Sequence, residues 1–149
     1  MLDAVDLQND ELVLDIGSGF GYSAAIIAHI AEAVVAAESD TAMSEESQAA
    51  LSDLGADNVI AHAGDLALGV AEHGPYDVII IEGGVETVPD SVLDQLKIGG
   101  RIGVIKMTGA LGQCMIGHKT ATGVDWRWEF DAAAPVLPGF EAPAAFNFD

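Results

Sequence analysis

The chain has 149 residues, about the commonest size of a single domain, so one core over residues 1–149 is expected and two independent domains are not. Gly, Asp and Glu break every apolar run short of the ~18 residues that span a bilayer, and Met1–Asp6 lacks the basic and apolar regions of a secretory signal, so a cytoplasmic location is the default. Five basic residues face 24 acidic ones, and residues 1–96 hold 19 acids with no Lys or Arg, a field that disfavours nucleic acid as a partner and tolerates a small cation. One cysteine, Cys114, and four scattered histidines, His29, His62, His73 and His118, exclude a disulfide scaffold and a structural zinc site.

Apolar β-branched runs alternate with helical patterns, which predicts βα units around a parallel sheet. The first strand is Leu12–Ile16, followed by a glycine turn and an Ala- and Ile-rich helix from Tyr22 to Ile30. Val34–Glu38 reads as a second strand, and Thr41–Leu54 as a helix with Glu45 and Glu46 in water, stopped by Gly55. Val59–Ala63, Tyr76–Ile81 and Arg101–Ile105 supply three more strands, with a short helix around Pro89–Leu96 and a turn at Gly99-Gly100. Val124–Phe130 alternates, which places Trp126, Trp128 and Phe130 on one face of an antiparallel strand near a sheet edge, with Gln113–His118 as its partner. There Cys114, Trp126 and Trp128 are expected to pack rather than react or stack. The tail, carrying Pro135, Pro138 and Pro143, reads as extended or coil.

The glycine turn has the spacing Gly17-x-Gly19-x-Gly21. Such a turn lets backbone approach a ligand closely. A dinucleotide fingerprint would carry its third glycine one position later, where this chain has Tyr22, so the spacing favours S-adenosyl-L-methionine over NAD. Asp15 closes the first strand and Glu38, followed by Ser39, closes the second. Glu38 stands where a carboxylate accepts both ribose hydroxyls, and no Arg is near to favour a 2′-phosphate. Gly64, Asp65 and Leu66 follow the third strand, placed to flank an adenine with Asp65 accepting from its amine. Any one of these is also an ordinary tight turn or helix cap. Their succession at the carboxyl ends of three strands, the ligand edge of open α/β sheets, is what points to a cofactor.

Val13–Tyr22, Val35–Glu38, Gly64-Asp65, Tyr76–Ile80 and Leu96–Ile102 together resemble the class I methyltransferase series, and most of all the protein-L-isoaspartate O-methyltransferase family. The Gly21-Tyr22 pair and Asp57-Asn58-Val59 belong to that likeness. The resemblance implies an α/β, Rossmann-like fold whose mostly parallel twisted sheet has an antiparallel last strand. It also implies methyl transfer from S-adenosylmethionine to the free carboxylate of isoaspartyl residues in damaged proteins, a repair reaction on a protein or peptide substrate. A non-catalytic module that keeps the fold for cofactor binding or assembly is the alternative.

The sequence departs from the family in two places. Members carry a segment ahead of the glycine turn, with a substrate-side hydroxyl and helices over the cofactor, and this sequence starts after it. After the fourth strand the family is small and neutral, whereas here Glu82, Gly83 and Gly84 are the substrate-side candidates, and Glu82 would repel an incoming carboxylate. An anionic nucleophile needs alignment and exclusion of water more than acid–base groups, so no catalytic residue is assigned. The expectation is slow or absent methylation of an isoaspartyl peptide by this chain, and a rate normal for an intact enzyme would show the cover to be dispensable. An apolar patch left by those helices predicts a homodimer or a partner protein that binds more tightly as salt rises, to be checked by sedimentation.

Overall fold

The computed structural model describes residues 2–17, 22–53, 55 and 57–142. In chain order the elements are α1 (Leu2–Val5), β1 (Leu12–Ile16), α2 (Tyr22–Ala28), β2 (Ala33–Glu38), α3 (Thr41–Asp53), β3 (Val59–Ala63), β4 (Tyr76–Val85), α4 (Asp90–Leu93), β5 (Leu96–Thr108), β6 (Leu111–Thr120) and β7 (Gly123–Asp131). Two single 3-10 turns, Leu66–Leu68 and Ala71–His73, link β3 to β4.

The seven strands form one sheet in the order β3-β2-β1-β4-β5-β6-β7. β1 to β5 pair in parallel, β6 runs antiparallel to β5, and β7 turns back antiparallel to β6. The antiparallel end expected from the sequence is therefore a long three-strand meander. Buried strands of a parallel sheet must be apolar on both faces, and β1 and β4 meet this with Val13 and Leu14 beside Val78, Ile79, Ile80 and Ile81, all at most 1 % exposed. Leu14, Ile16, Ile79 and Ile81 join one core cluster, with Tyr76, Leu96 and Phe140. Val13, Val78 and Ile80 join the other, beneath Ala24 and Ile27 of α2 and Val5 of the first helix.

Two side chains close the ends of this framework. Asn58 Nδ2 donates to the carbonyls of Ala28, Ala31 and Glu32 at 2.9, 3.4 and 3.2 Å, meeting orphan acceptors where α2 ends. Arg101 of β5 donates from Nε to Val5 O at 2.7 Å and from Nη2 to Asp6 O at 3.2 Å, and pairs with both oxygens of Glu11 at 2.9 and 2.7 Å. The Glu11 carboxyl is pushed up by burial and pulled down by these bonds, and the bonds win, holding it below the usual range.

Three expectations need revision. The Pro89–Leu96 helix shrinks to Asp90–Leu93 because Leu96 already pairs with Tyr76 in the sheet. Trp126, Trp128 and Phe130 do not share a face: Trp126 pairs with Gly117 and Trp128 with Met115, but a bulge at Glu129 sets Phe130 opposite Cys114, on the other side. Trp126 does pack on the sheet face, its ring lying over Gly117, while walling an open groove of about 390 Å³ shared with Val85, Val88, Lys106 and Met115; Trp128, 53 % exposed, does not serve as sheet filling. Cys114 is buried as expected. The tail is coil but anchored: Phe140 is fully buried, and its carbonyl accepts from Glu86 N and Thr87 N. Among the described residues no helix is long and apolar enough to cross a membrane.

Candidate functional site at the β1–β4 switch point

The chain leaves β1 toward β2 and β3, then returns to the opposite side of β1 to form β4. At such a reversal the connections diverge and open a crevice at the carboxyl ends of the strands. Asp15 and Gly17 lie on one side of it, Glu82 on the other, with Ile16 and Ile81 in register between them.

Gly17 follows β1 with φ 79°, and its amide donates to Ala37 O at 2.8 Å. A Cβ there would be strained by that φ and would lie 3.3 Å from Leu137 Cδ1 and 3.4 Å from Glu82 O, so the turn needs glycine. Ser18, Gly19 and Gly21 lie outside the described residues, and Tyr22 opens α2. Glu38 sits half-buried at the end of β2, where its Oε1 accepts from Ser39 N at 3.0 Å, with longer bonds from Ser39 Oγ and Asp40 N at 3.4 Å. These bonds fix the carboxylate at the sheet edge. Gly64 N donates to Glu38 O at 3.0 Å, which brings the loop after β3 alongside it. Asp65 is exposed, and its Oδ1 accepts from Ala67 N at 3.0 Å as the cap of the first 3-10 turn. Leu66, expected beside an adenine, is instead buried in the core cluster that contains Leu14 and Ile16.

The structure thus gathers Asp15, Gly17, Glu38, Ser39, Gly64 and Asp65 along one edge of three adjacent strands. Of the substrate-side candidates, Gly83 and Gly84 lie under the tail. Gly84 N donates to Pro135 O at 2.7 Å, Leu137 N donates to Gly84 O at 2.9 Å, and Leu137 packs on Gly83. β4 bulges here, since the step from Ile80 to Gly84 faces only the step from Gly103 to Ile105. Bulges re-aim side chains at sheet rims.

Glu82 sits in that bulge, and with Asp15 in register with Ile80 and Ile16 with Ile81 it follows on the face of β4 that lies beside Asp15. Asp15 is fully buried, and its Oδ2 accepts from Ser23 Oγ of α2 at 2.8 Å. Burial, followed by the contact and charge of Glu82, pushes the Asp15 carboxyl well above the usual range, while the Ser23 bond opposes the shift. The pairing could not be read from spacing, because the two acids are 67 positions apart and meet only through the adjacency of β1 and β4. Ser23 was missed for a related reason, a serine in a helix's first turn being ordinary.

Residues 1–119 match the family described as Protein-L-isoaspartate(D-aspartate) O-methyltransferase (PCMT). A protein-L-isoaspartate O-methyltransferase of Brucella anthropi is 40 % identical over 102 residues, covering 68 % of this chain and 47 % of the relative. One from Dictyoglomus turgidum is 42 % identical over 100 residues, covering 67 % and 46 %. Among solved structures, a protein-L-isoaspartate O-methyltransferase superposes with a TM-score of 0.87 at 28 % identity, over 94 % of this chain and 46 % of that one. A Plasmodium falciparum β-aspartate methyltransferase (PCMT) solved with S-adenosyl-L-homocysteine gives 0.74 at 17 % identity, over 89 % and 67 %, a likeness of fold. The chain spans about half the length of the curated relatives it matches. With four-fifths of its length inside the family match and Gly17, Glu38 and Asp65 ranged along one sheet edge, this chain belongs to the protein-L-isoaspartate O-methyltransferase family.

Proposed function

We propose that this chain is the cofactor-holding part of an S-adenosylmethionine-dependent methyltransferase that acts on isoaspartyl carboxylates of proteins. One observation carries the reading: Gly17, Glu38 and Asp65 stand at the carboxyl ends of β1, β2 and β3 in a chain of this family. The residues present suit the group. Gly17 gives a close backbone approach, Glu38 is a fixed carboxylate for vicinal hydroxyls, and Asp15 keeps a buried oxygen, Oδ1, without a donor among the described residues. When bound, the cofactor supplies a methyl group on a cationic sulfur, an electrophile that an acceptor carboxylate attacks without first losing a proton. The protein's part is then to bind, align and keep water out.

Calorimetry with S-adenosylhomocysteine tests the assignment of Glu38. Glu38→Ala removes the acceptor of charge-assisted hydrogen bonds, each typically about 1.5–3 kcal/mol, so affinity should fall at least about tenfold. Equal affinity for the chain and the variant would remove Glu38 from the site.

A further inference from the structure

Asp15 Oδ1 and Glu82 Oε2 are both buried and have no donor among the described residues, and the register of β1 and β4 sets their side chains on one face of adjacent strands. Ser23 occupies the other Asp15 oxygen, which leaves Oδ1 to the glutamate. A proton on one of two such neighbouring acceptors turns their contact into a hydrogen bond and removes one negative charge. Among the described residues no neighbouring cation does this instead. α2 has no charged residue, nor has the tail from Pro135 to Leu137. β2 brings Glu38 to the same edge, Glu86 of the loop after β4 accepts from Ala142 N, and Lys106 of β5 is in register with Val85, beyond Glu82. No ion pair to Asp15 or Glu82 forms among the described residues.

The pair also lies directly beneath the turn that starts the glycine loop, since a Cβ on Gly17 would come 3.9 Å from Glu82 Cβ. A cation arriving on that turn offsets the second negative charge and so favours loss of that proton. We infer that Asp15 keeps its proton beside Glu82 in the ligand-free site and releases it to solvent when a cationic cofactor binds, so that Glu82 is a positioning residue that ties cofactor affinity to pH. S-adenosylmethionine carries two such cationic groups, an ammonium and a sulfonium. The charge balances: the pair passes from one negative charge to two, one proton leaves, and the cofactor's positive charge faces the new carboxylate. This inference rests on the cofactor reading above.

The test is calorimetry of the 149-residue chain and of Glu82→Gln, with S-adenosylmethionine and S-adenosylhomocysteine, in buffers of different ionisation enthalpy. The chain should release up to one proton on binding, and its affinity should rise by as much as about tenfold per pH unit on the acid side. Glu82→Gln, whose amide can donate to Asp15, should bind with no proton release and a flat pH profile. Binding by the chain without proton release, or equal release by the variant, overturns the inference. Infrared spectroscopy of the ligand-free chain separates the two readings. A protonated-carboxyl band should persist at pH values where exposed carboxylates are ionised and vanish in Glu82→Gln; its absence from the chain overturns the retained proton whatever binds. The band with no heat from either ligand overturns the cofactor reading and, with it, the release. If Glu82→Gln fails to fold, Asp15→Asn carries the same comparison.

Discussion

Replacing Arg101 by Ala is expected to cost up to about 3 kcal/mol of stability, the lower end of the penalty for stranding one partner of a buried pair, because this pair is only part-buried. Both side chains are largely covered, at 18 and 12 % exposure for Arg101 and Glu11. The guanidinium also satisfies the carbonyls of Val5 and Asp6, so its loss releases the first helix from β5 as well. Arg101→Lys should fall between the two, because an ammonium keeps the charge but not the planar fork that meets both Glu11 oxygens. The pH dependence has a definite sign. Glu11 titrates lower in the folded chain than unfolded, so its contribution is present above the ordinary glutamate range near pH 4 and fades as pH falls through the depressed value. Urea titrations at neutral pH and near pH 3 should show the chain and Arg101→Ala converging on acidification. A gap that stays constant with pH would show that the ion pair contributes nothing.

Gly84→Ala carries the second large effect. A Cβ at this position would strike the carbonyl oxygen of Ala134 and come within 3.0 Å of Pro135 O and 2.9 Å of Met107 Cγ, and two of these three obstacles are backbone. The tail has to move off β4, forfeiting the bonds from Gly84 N to Pro135 O and from Leu137 N to Gly84 O. Overpacking of about 1–3 kcal/mol and two hydrogen bonds of about 1 kcal/mol each give an expected loss of roughly 3–5 kcal/mol. Limited proteolysis should find new cuts after Asp131 in the variant. An unchanged urea midpoint with no new cuts would show that the tail is held elsewhere, by Phe140.

The strands from β1 to β5 were legible because each is a short apolar run between turn signals, and burial in a parallel sheet demands that composition. The places of Gly17, Glu38 and Asp65 were legible for the same reason, each standing at or just past the point where such a run stops, while Asp15 is the acid one position inside the end of β1. What stayed hidden depends on neighbours distant in sequence. Leu66 looks like any loop leucine until the 3-10 turn capped by Asp65 rolls it into the core. The bulge at Glu129 inserts one residue into an otherwise strict alternation, and it reverses the side of Phe130 without leaving a mark in the pattern. Glu82 reads as an isolated acid facing a substrate, and becomes half of a pair only because β4 crosses to the far side of β1.

β7 is the last strand of the sheet, and among the described residues nothing pairs with its outer edge. Such an edge offers free amides and carbonyls to any other extended chain, and here two tryptophans stand beside it. What guards it is charge and shape: Asp125, Arg127, Glu129 and Asp131 punctuate the strand, and the bulge bends it out of the flat form that aggregating strands share. Three of those four guards are carboxylates, so most of the protection is like-charge repulsion between copies. Exchanging Asp125, Glu129 and Asp131 for their amides would leave β7 with one arginine and an aromatic flank, and such a chain should self-associate into β-rich aggregates while its core is still folded.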